Sequence, residues 1–236
     1  MALFSTEGVL FLLRWIHFMA GITWIGLLYY FNFVQGSFMA EAGTEPARPF
    51  VTRKLLPRAL WWFRWGAMFT FLSGLAIILI NVAEGGTQVL AQNWGVLIQI
   101  GALLGTLMFL NVWLIIWPKQ KIVIASAEAV ANGGQADPAA AAAAPRAFLA
   151  SRTNTLFSIP MLFFMGAARH LSVVGEGAKA AVPAAICTVI ILAFEANAIW
   201  GKKNEGPSKM LEKHVAVIHV GLVLALVLYL VVELLT

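Results

Sequence analysis

Apolar positions in this chain gather into long runs separated by short polar breaks. Six runs come close to or exceed the roughly 20 residues that cross a bilayer as a helix. They cover about residues 8–33, 60–82, 94–117, 154–173, 181–200 and 213–235. The expected fold is therefore all-α: a polytopic membrane helix bundle of six transmembrane helices, forming a single domain over 1–236. The breaks carry turn chemistry at Glu84-Gly85-Gly86, Gly175-Glu176-Gly177 and Asn204-Glu205-Gly206-Pro207. The fourth run is the least apolar, with Ser158, Pro160, Arg169 and His170. Pro160 should kink it, leaving a carbonyl that needs a neighbouring helix. Gly101-x-x-x-Gly105 in the third run permits close helix approach. The stretch 118–153 is Ala-rich, with Asn132-Gly133-Gly134 and Asp137-Pro138, and reads as a surface linker, helical in part, without chemistry of its own.

Composition agrees with this pattern. Of 236 residues, 61% are hydrophobic and 11% charged, against roughly 25% charged in soluble domains. The single Cys187 excludes an internal disulfide and a cysteine metal cluster. The net charge of +5 reflects loop lysines and arginines rather than a nucleic-acid partner. Arg48, Arg53, Lys54 and Arg58 lie in the first break, Lys119, Lys121, Arg146 and Arg152 in the third, and Lys202, Lys203, Lys209 and Lys213 in the fifth. The second break has none, and the fourth has Lys179 with Arg169 at its edge. Basic residues collect on the cytoplasmic side, so six spans with this alternation place both termini outside the cytoplasm.

Candidate chemistry sits in the first run. Arg14 and His17 share a helix face, which Gly21 and Trp24 extend at i+4 and i+7 from His17. Ionisable groups inside an apolar run usually face the bundle interior and a partner. A histidine beside a glycine-cleared, tryptophan-lined stripe suits a planar cofactor; the plainer alternative is a hydrogen bond to a neighbouring helix. At about 1.5 Å per residue, His17 lies roughly 14 Å from the outer face and His219 roughly 9 Å from the inner one, depths that one haem overlaps. Haem iron takes axial histidines, and an arginine can neutralise a propionate. His17 and His219 are thus the favoured axial pair, with His170 as substitute ligand and Arg14 and Arg169 as anion contacts. Glu195 lies near the inner side and is expected to be buried against a polar or cationic partner at similar depth, either His219 or Asn111. The dispersed histidines disfavour a single zinc or non-haem iron site. No phosphate loop, nucleophile elbow or dinucleotide fingerprint occurs, and the absence of clear repeats disfavours a transporter.

Three segments carry a family resemblance. Arg14-Trp15-Ile16-His17 with Gly21-Ile22-Thr23-Trp24-Ile25-Gly26 is the first. Asn111-Val112-Trp113 with Trp117-Pro118-Lys119-Gln120-Lys121 is the second. Ala150-Ser151-Arg152-Thr153-Asn154-Thr155, continuing from Ser158 to His170, is the third and most specific. Together they resemble the membrane domain of the bacterial membrane-bound urate hydroxylases, the urate oxidase N-terminal domain; the first helix also resembles, more distantly, bacterial-type protoporphyrinogen oxidase. The urate hydroxylase resemblance implies oxidation of urate, with electrons leaving through cytochrome c. Family members join this domain to a C-terminal cytochrome c domain. No Cys-x-x-Cys-His motif occurs here, so a separate cytochrome c is the expected acceptor. The resulting expectation is a b-type haem redox protein in the bacterial inner (cytoplasmic) membrane. The alternative is a non-enzymatic accessory or assembly subunit of a larger respiratory or photosynthetic complex.

Overall fold

Long apolar runs without water around them must satisfy every backbone group internally, and helices do so. The computed structural model describes residues 2–174 and 180–236. Among these residues there is no strand, and six long helices form the bundle. They are α1 (Thr6–Ala40), α2 (Arg48–Gly85), α3 (Asn93–Ala131), α4 (Ala139–His170), α5 (Ala181–Trp200) and α6 (His214–Leu235). Five of them, all but α4, are long and apolar enough to cross a membrane. The chain is a multi-pass, all-helical membrane protein. The turn expected at Gly175-Glu176-Gly177 lies outside the described residues.

The exception is the centre of the fold. α4 packs against α3, α5 and α6 and touches α1, while α1 lies along α2. Leu149, Leu156, Phe157 and Phe164 of α4 are fully buried. Its polar run from Ser151 to Thr155 is also enclosed: Arg152, Thr153, Asn154 and Thr155 are all buried. Polar side chains that would be costly against lipid are thereby placed against protein. α1 shows the reverse. Phe11, Trp15, Phe18, Met19 and Ile22 of α1 are exposed, as lipid-facing residues are.

The stretch 118–153, expected as a surface linker, is instead two helical arms. α3 continues to Ala131 and α4 begins at Ala139. Ile124 of one arm and Ala143 and Ala147 of the other are buried, so the helices keep packing beyond the apolar runs. Alanine is the strongest helix former, which explains why a low-complexity stretch is ordered. Gly133, at φ +81°, makes the turn between the arms. Asp137 closes it: its backbone N–H donates to Ser126 Oγ (2.9 Å), and its carboxylate accepts from the Ala139 N–H (2.8 Å). Helices α1 to α4 are therefore longer than a bilayer needs. α3 has 39 residues, about 58 Å at 1.5 Å per residue, against a hydrocarbon core of about 30 Å. The excess lies at the end that carries loops 41–47 and 132–138 and the basic residues, here called the basic end.

Three π-helical turns interrupt the long helices: Tyr30–Gln35 in α1, Val51–Leu55 in α2 and Asn111–Ile116 in α3. Such turns often mark functional positions. Glycines set the close contacts. A Cβ at Gly66 of α2 would stand 3.1 Å from Trp24 N and 3.2 Å from Ala20 O of α1. A Cβ at Gly101 of α3 would meet Met165 and Phe164 of α4 at 3.3–3.4 Å, whereas Gly105 has looser surroundings. Pro160 sits within α4 without ending it. The carbonyl it leaves without an i+4 donor, Leu156 O, faces Gly221 of α6, where a Cβ would stand 2.9 Å away. Gly221→Val should therefore force α6 off α4 and destabilise the protein by about 1–3 kcal/mol. A thermal unfolding series in detergent should show a lower Tm for this variant, with Gly105→Ala close to wild type.

Candidate functional site

Three polar features share the interior. The first joins α3, α4 and α5. Asn111, which opens the π turn of α3, donates through Nδ2 to Asn154 Oδ1 (2.9 Å) and to Glu195 Oε2 (3.1 Å). Asn154 Nδ2 donates in turn to the Met108 carbonyl (2.9 Å). All three side chains are buried, and Glu195 has no cation within salt-bridge distance among the described residues. The π turn shifts the backbone ladder at this level, and Asn154 takes up a carbonyl beside it. Nearby, Ser158 donates to Thr155 O (2.7 Å), so its oxygen accepts from the Tyr29 hydroxyl (2.9 Å), which ties α1 to α4.

The second feature is a partly open cavity at the basic end, lined by α1, α2, α3 and α4, about 150 Å³ in volume. Asn32, on the π turn of α1, donates to Leu28 O and to Ser151 Oγ, both at 2.8 Å. Gln35 lies one turn further along, and its Oε1 is buried without a partner. Arg152 is 6% exposed, and its Nε and Nη1 are buried without partners. Its guanidinium lies 5.1 Å from the Phe148 ring centroid, and the Lys203 ammonium lies 4.6 Å from the same ring. Among the described residues no carboxylate lies within salt-bridge distance of Arg152. Burying a charge costs several kcal/mol, whereas a cation–π contact returns about 0.5–2 kcal/mol. The ring alone does not balance the charge. A related contact occurs at Arg64 of α2, whose guanidinium lies 4.0 Å over the Trp117 ring.

The third feature is His17. Ser73 of α2 donates to Phe69 O (2.6 Å), so its oxygen accepts from His17 Nδ1–H at 3.1 Å. This fixes the tautomer: the lone pair of the ring is on Nε2. Gly74 lies beside the ring, where a Cβ would stand 3.0 Å from Cε1. His17 is partly buried, whereas Arg14, one turn away, is exposed. Trp24 is buried against α2, so the expected stripe of Arg14, His17 and Trp24 is not one continuous surface.

The structure does not bring the expected axial pair together. α1 packs on α2 and α6 on α4 and α5. The two helices come near each other at their basic ends, where the Phe33 and His214 rings are 6.1 Å apart. From that level His17 lies about 24 Å along α1 and His219 about 7.5 Å along α6, a gap of roughly 16 Å. Two axial nitrogens would need to lie about 4 Å apart, twice a metal–nitrogen bond of about 2 Å. His219 is also exposed, and His170 and Arg169 stand at the exposed end of α4. Among the described residues no three His, Cys, Asp or Glu side chains gather as a metal site. Glu195 pairs with Asn111 rather than His219.

Sequence reasoning missed Arg152, Asn154, Asn32 and Gln35. The signal was five consecutive polar residues, Ser151-Arg152-Thr153-Asn154-Thr155, leading into an apolar run. The linker reading of 118–153 divided that segment. A multi-pass helical membrane protein with a polar centre is thus the class defined by fold and site. Residues 78–230 match the family model described as urate oxidase N-terminal, and the chain belongs to that family. No curated protein and no solved structure matches it. The matched segment includes Asn111, Arg152, Asn154 and Glu195, while His17, Asn32 and Gln35 on α1 precede it.

Asn154→Leu should leave the Met108 carbonyl without its side-chain partner and should cost about 1–3 kcal/mol. Glu195→Gln keeps an oxygen that accepts from Asn111 and should unfold within a few degrees of wild type. Thermal unfolding of both variants in detergent, followed by circular dichroism, checks the contrast.

Proposed function

We propose that this chain is the membrane-embedded redox part of a urate-hydroxylase-like enzyme, holding a b-type haem at His17 and passing electrons to a separate cytochrome c. The observation that carries the urate-hydroxylase reading is the family match, which contains the whole Asn111–Asn154–Glu195 centre. The haem arm rests on His17. Its Nδ1–H is held by Ser73, the outer-shell arrangement that orients histidine ligands, and its Nε2 is left with a lone pair. A bound haem supplies one-electron transfer through its iron. His17 would hold that iron, Ser73 would keep the ring from rotating, and Arg14 would meet a propionate from the next turn. His219 and His170 are exposed on α6 and α4, so the reading rests on ligation by His17 alone.

The purified wild-type protein should show a Soret band of a high-spin, five-coordinate haem. His17→Ala should remove most of it, and Ser73→Ala should shift it while retaining pigment. A colourless wild-type protein overturns the haem arm. The exposure of His219 and His170 favours a second reading in that event: a non-enzymatic accessory or assembly subunit of a larger respiratory or photosynthetic complex.

The same proposal includes six crossings with both termini outside the cytoplasm, supported by the basic residues gathered at one end of the bundle. A Gly86→Cys variant in a Cys187→Ala background should react with a membrane-impermeant maleimide added outside. Reaction at this position only after the cytoplasmic face is opened would reverse the orientation.

A further inference from the structure

We propose that the basic-end cavity is a binding site for a small planar anion that also carries an N–H, held by Arg152 and Gln35. The charge argument comes first. Arg152 is more than nine-tenths buried, lines the cavity, and has neither a carboxylate nor a hydrogen-bond acceptor for Nε and Nη1. The cavity lining contains no Asp or Glu. Lys203 on the Phe148 ring adds a second positive charge to the same neighbourhood. A site with a fixed, unbalanced guanidinium selects an anion, and the planar fork of donors favours a planar oxyanion or carboxylate.

The opposite hydrogen-bond polarity comes from Gln35. Its Oε1 is buried and has no donor, so a ligand that satisfies both residues must accept from Arg152 and donate to Gln35. Asn32 and Ser151 are already bonded to each other, which fixes the wall between these two groups. Phe31 and Phe63 form an apolar corner of the cavity, with rings at 86° and centroids 5.4 Å apart. A volume of about 150 Å³ holds about five waters at roughly 30 Å³ each, or one small flat molecule. The π turn Tyr30–Gln35 carries Asn32 and Gln35, three residues apart, on the side of α1 that lines the cavity.

Choosing urate as the probe rests on the urate-hydroxylase reading, whereas the anion site rests on Arg152 and Gln35 alone. The same guanidinium could take a phospholipid headgroup, and the experiment separates the two sources. Binding of urate, benzoate and hypoxanthine is measured at pH 7 by equilibrium dialysis, with the protein in lipid nanodiscs. Urate is a planar anion with N–H groups, benzoate a planar anion without them, and hypoxanthine a neutral purine. Urate should bind at least tenfold more tightly than hypoxanthine. Arg152→Gln should weaken urate at least tenfold, with Arg152→Lys recovering part of the loss. Gln35→Leu should weaken urate about tenfold and leave benzoate unchanged. Each variant is first checked for wild-type thermal unfolding, and Gln35→Leu carries the test if both Arg152 variants fail to fold. Benzoate binding that depends on Arg152, without urate binding, removes urate as the ligand and overturns the proposal, since the bound anion then offers no N–H to Gln35. Urate affinity unchanged in Arg152→Gln overturns the proposal, as does failure of both anions to bind. A phospholipid retained by wild type and lost from Arg152→Gln, read by native mass spectrometry, assigns the site to lipid and also overturns it.

Discussion

The burial of α4 governs the arrangement of everything else. This helix carries Ser151, Arg152, Thr153, Asn154, Thr155 and Ser158, which are unfavourable against lipid, and the other long helices are the apolar ones. With α4 inside, Ser151, Asn154 and Ser158 meet partners from α1 and α3, and Asn111 extends the network to Glu195 of α5. The bundle is thus apolar outside and locally polar within, the reverse of a soluble bundle and the arrangement a membrane solvent demands. Van der Waals fit at small residues holds the layers together. Gly66 brings α2 to α1, Gly101 brings α3 to α4, and Gly221 brings α6 to the carbonyl opened by Pro160.

The polar centre and the basic-end cavity are separated by less than one turn of α4. Ser151 and Arg152 line the cavity, and Asn154 belongs to the Asn111–Glu195 centre. A change in Arg152 would therefore lie three or fewer residues from the hydrogen bonds that fix α3 and α5. The two sites differ in how completely they are satisfied. Each of the three side chains at the centre has a partner, whereas Arg152 and Gln35 retain buried atoms without one. Complete satisfaction rigidifies a buried network, and incomplete satisfaction marks where another group fits. His17 stands apart from both, on the α1–α2 pair, with its ring orientation set by a single serine.

The all-helical membrane class was legible in the residues alone, because bilayer thickness translates directly into the length of an apolar run. So was the resemblance that the family match shows, since the motif around Ser151–Asn154 is written in contiguous residues. Glu195 and Asn111 were legible as polar residues at one depth, because rise per residue is a property of the helix alone. Azimuth and neighbour choice were not legible, and the tertiary structure decided them. The depths of His17 and His219 overlapped under a common estimate of membrane boundaries, yet α1 packs on α2, α6 packs on α4 and α5, and the two rings lie roughly 16 Å apart along the bundle. The Ala-rich stretch 118–153 lacks an apolar run, so hydropathy marked it as a linker; packing of α3 against α4 made it helix. Arg152 resembled one more loop cation until its burial without a carboxylate set it apart. A sequence states which groups are costly to bury, and only the packed chain shows which of them have been left without partners.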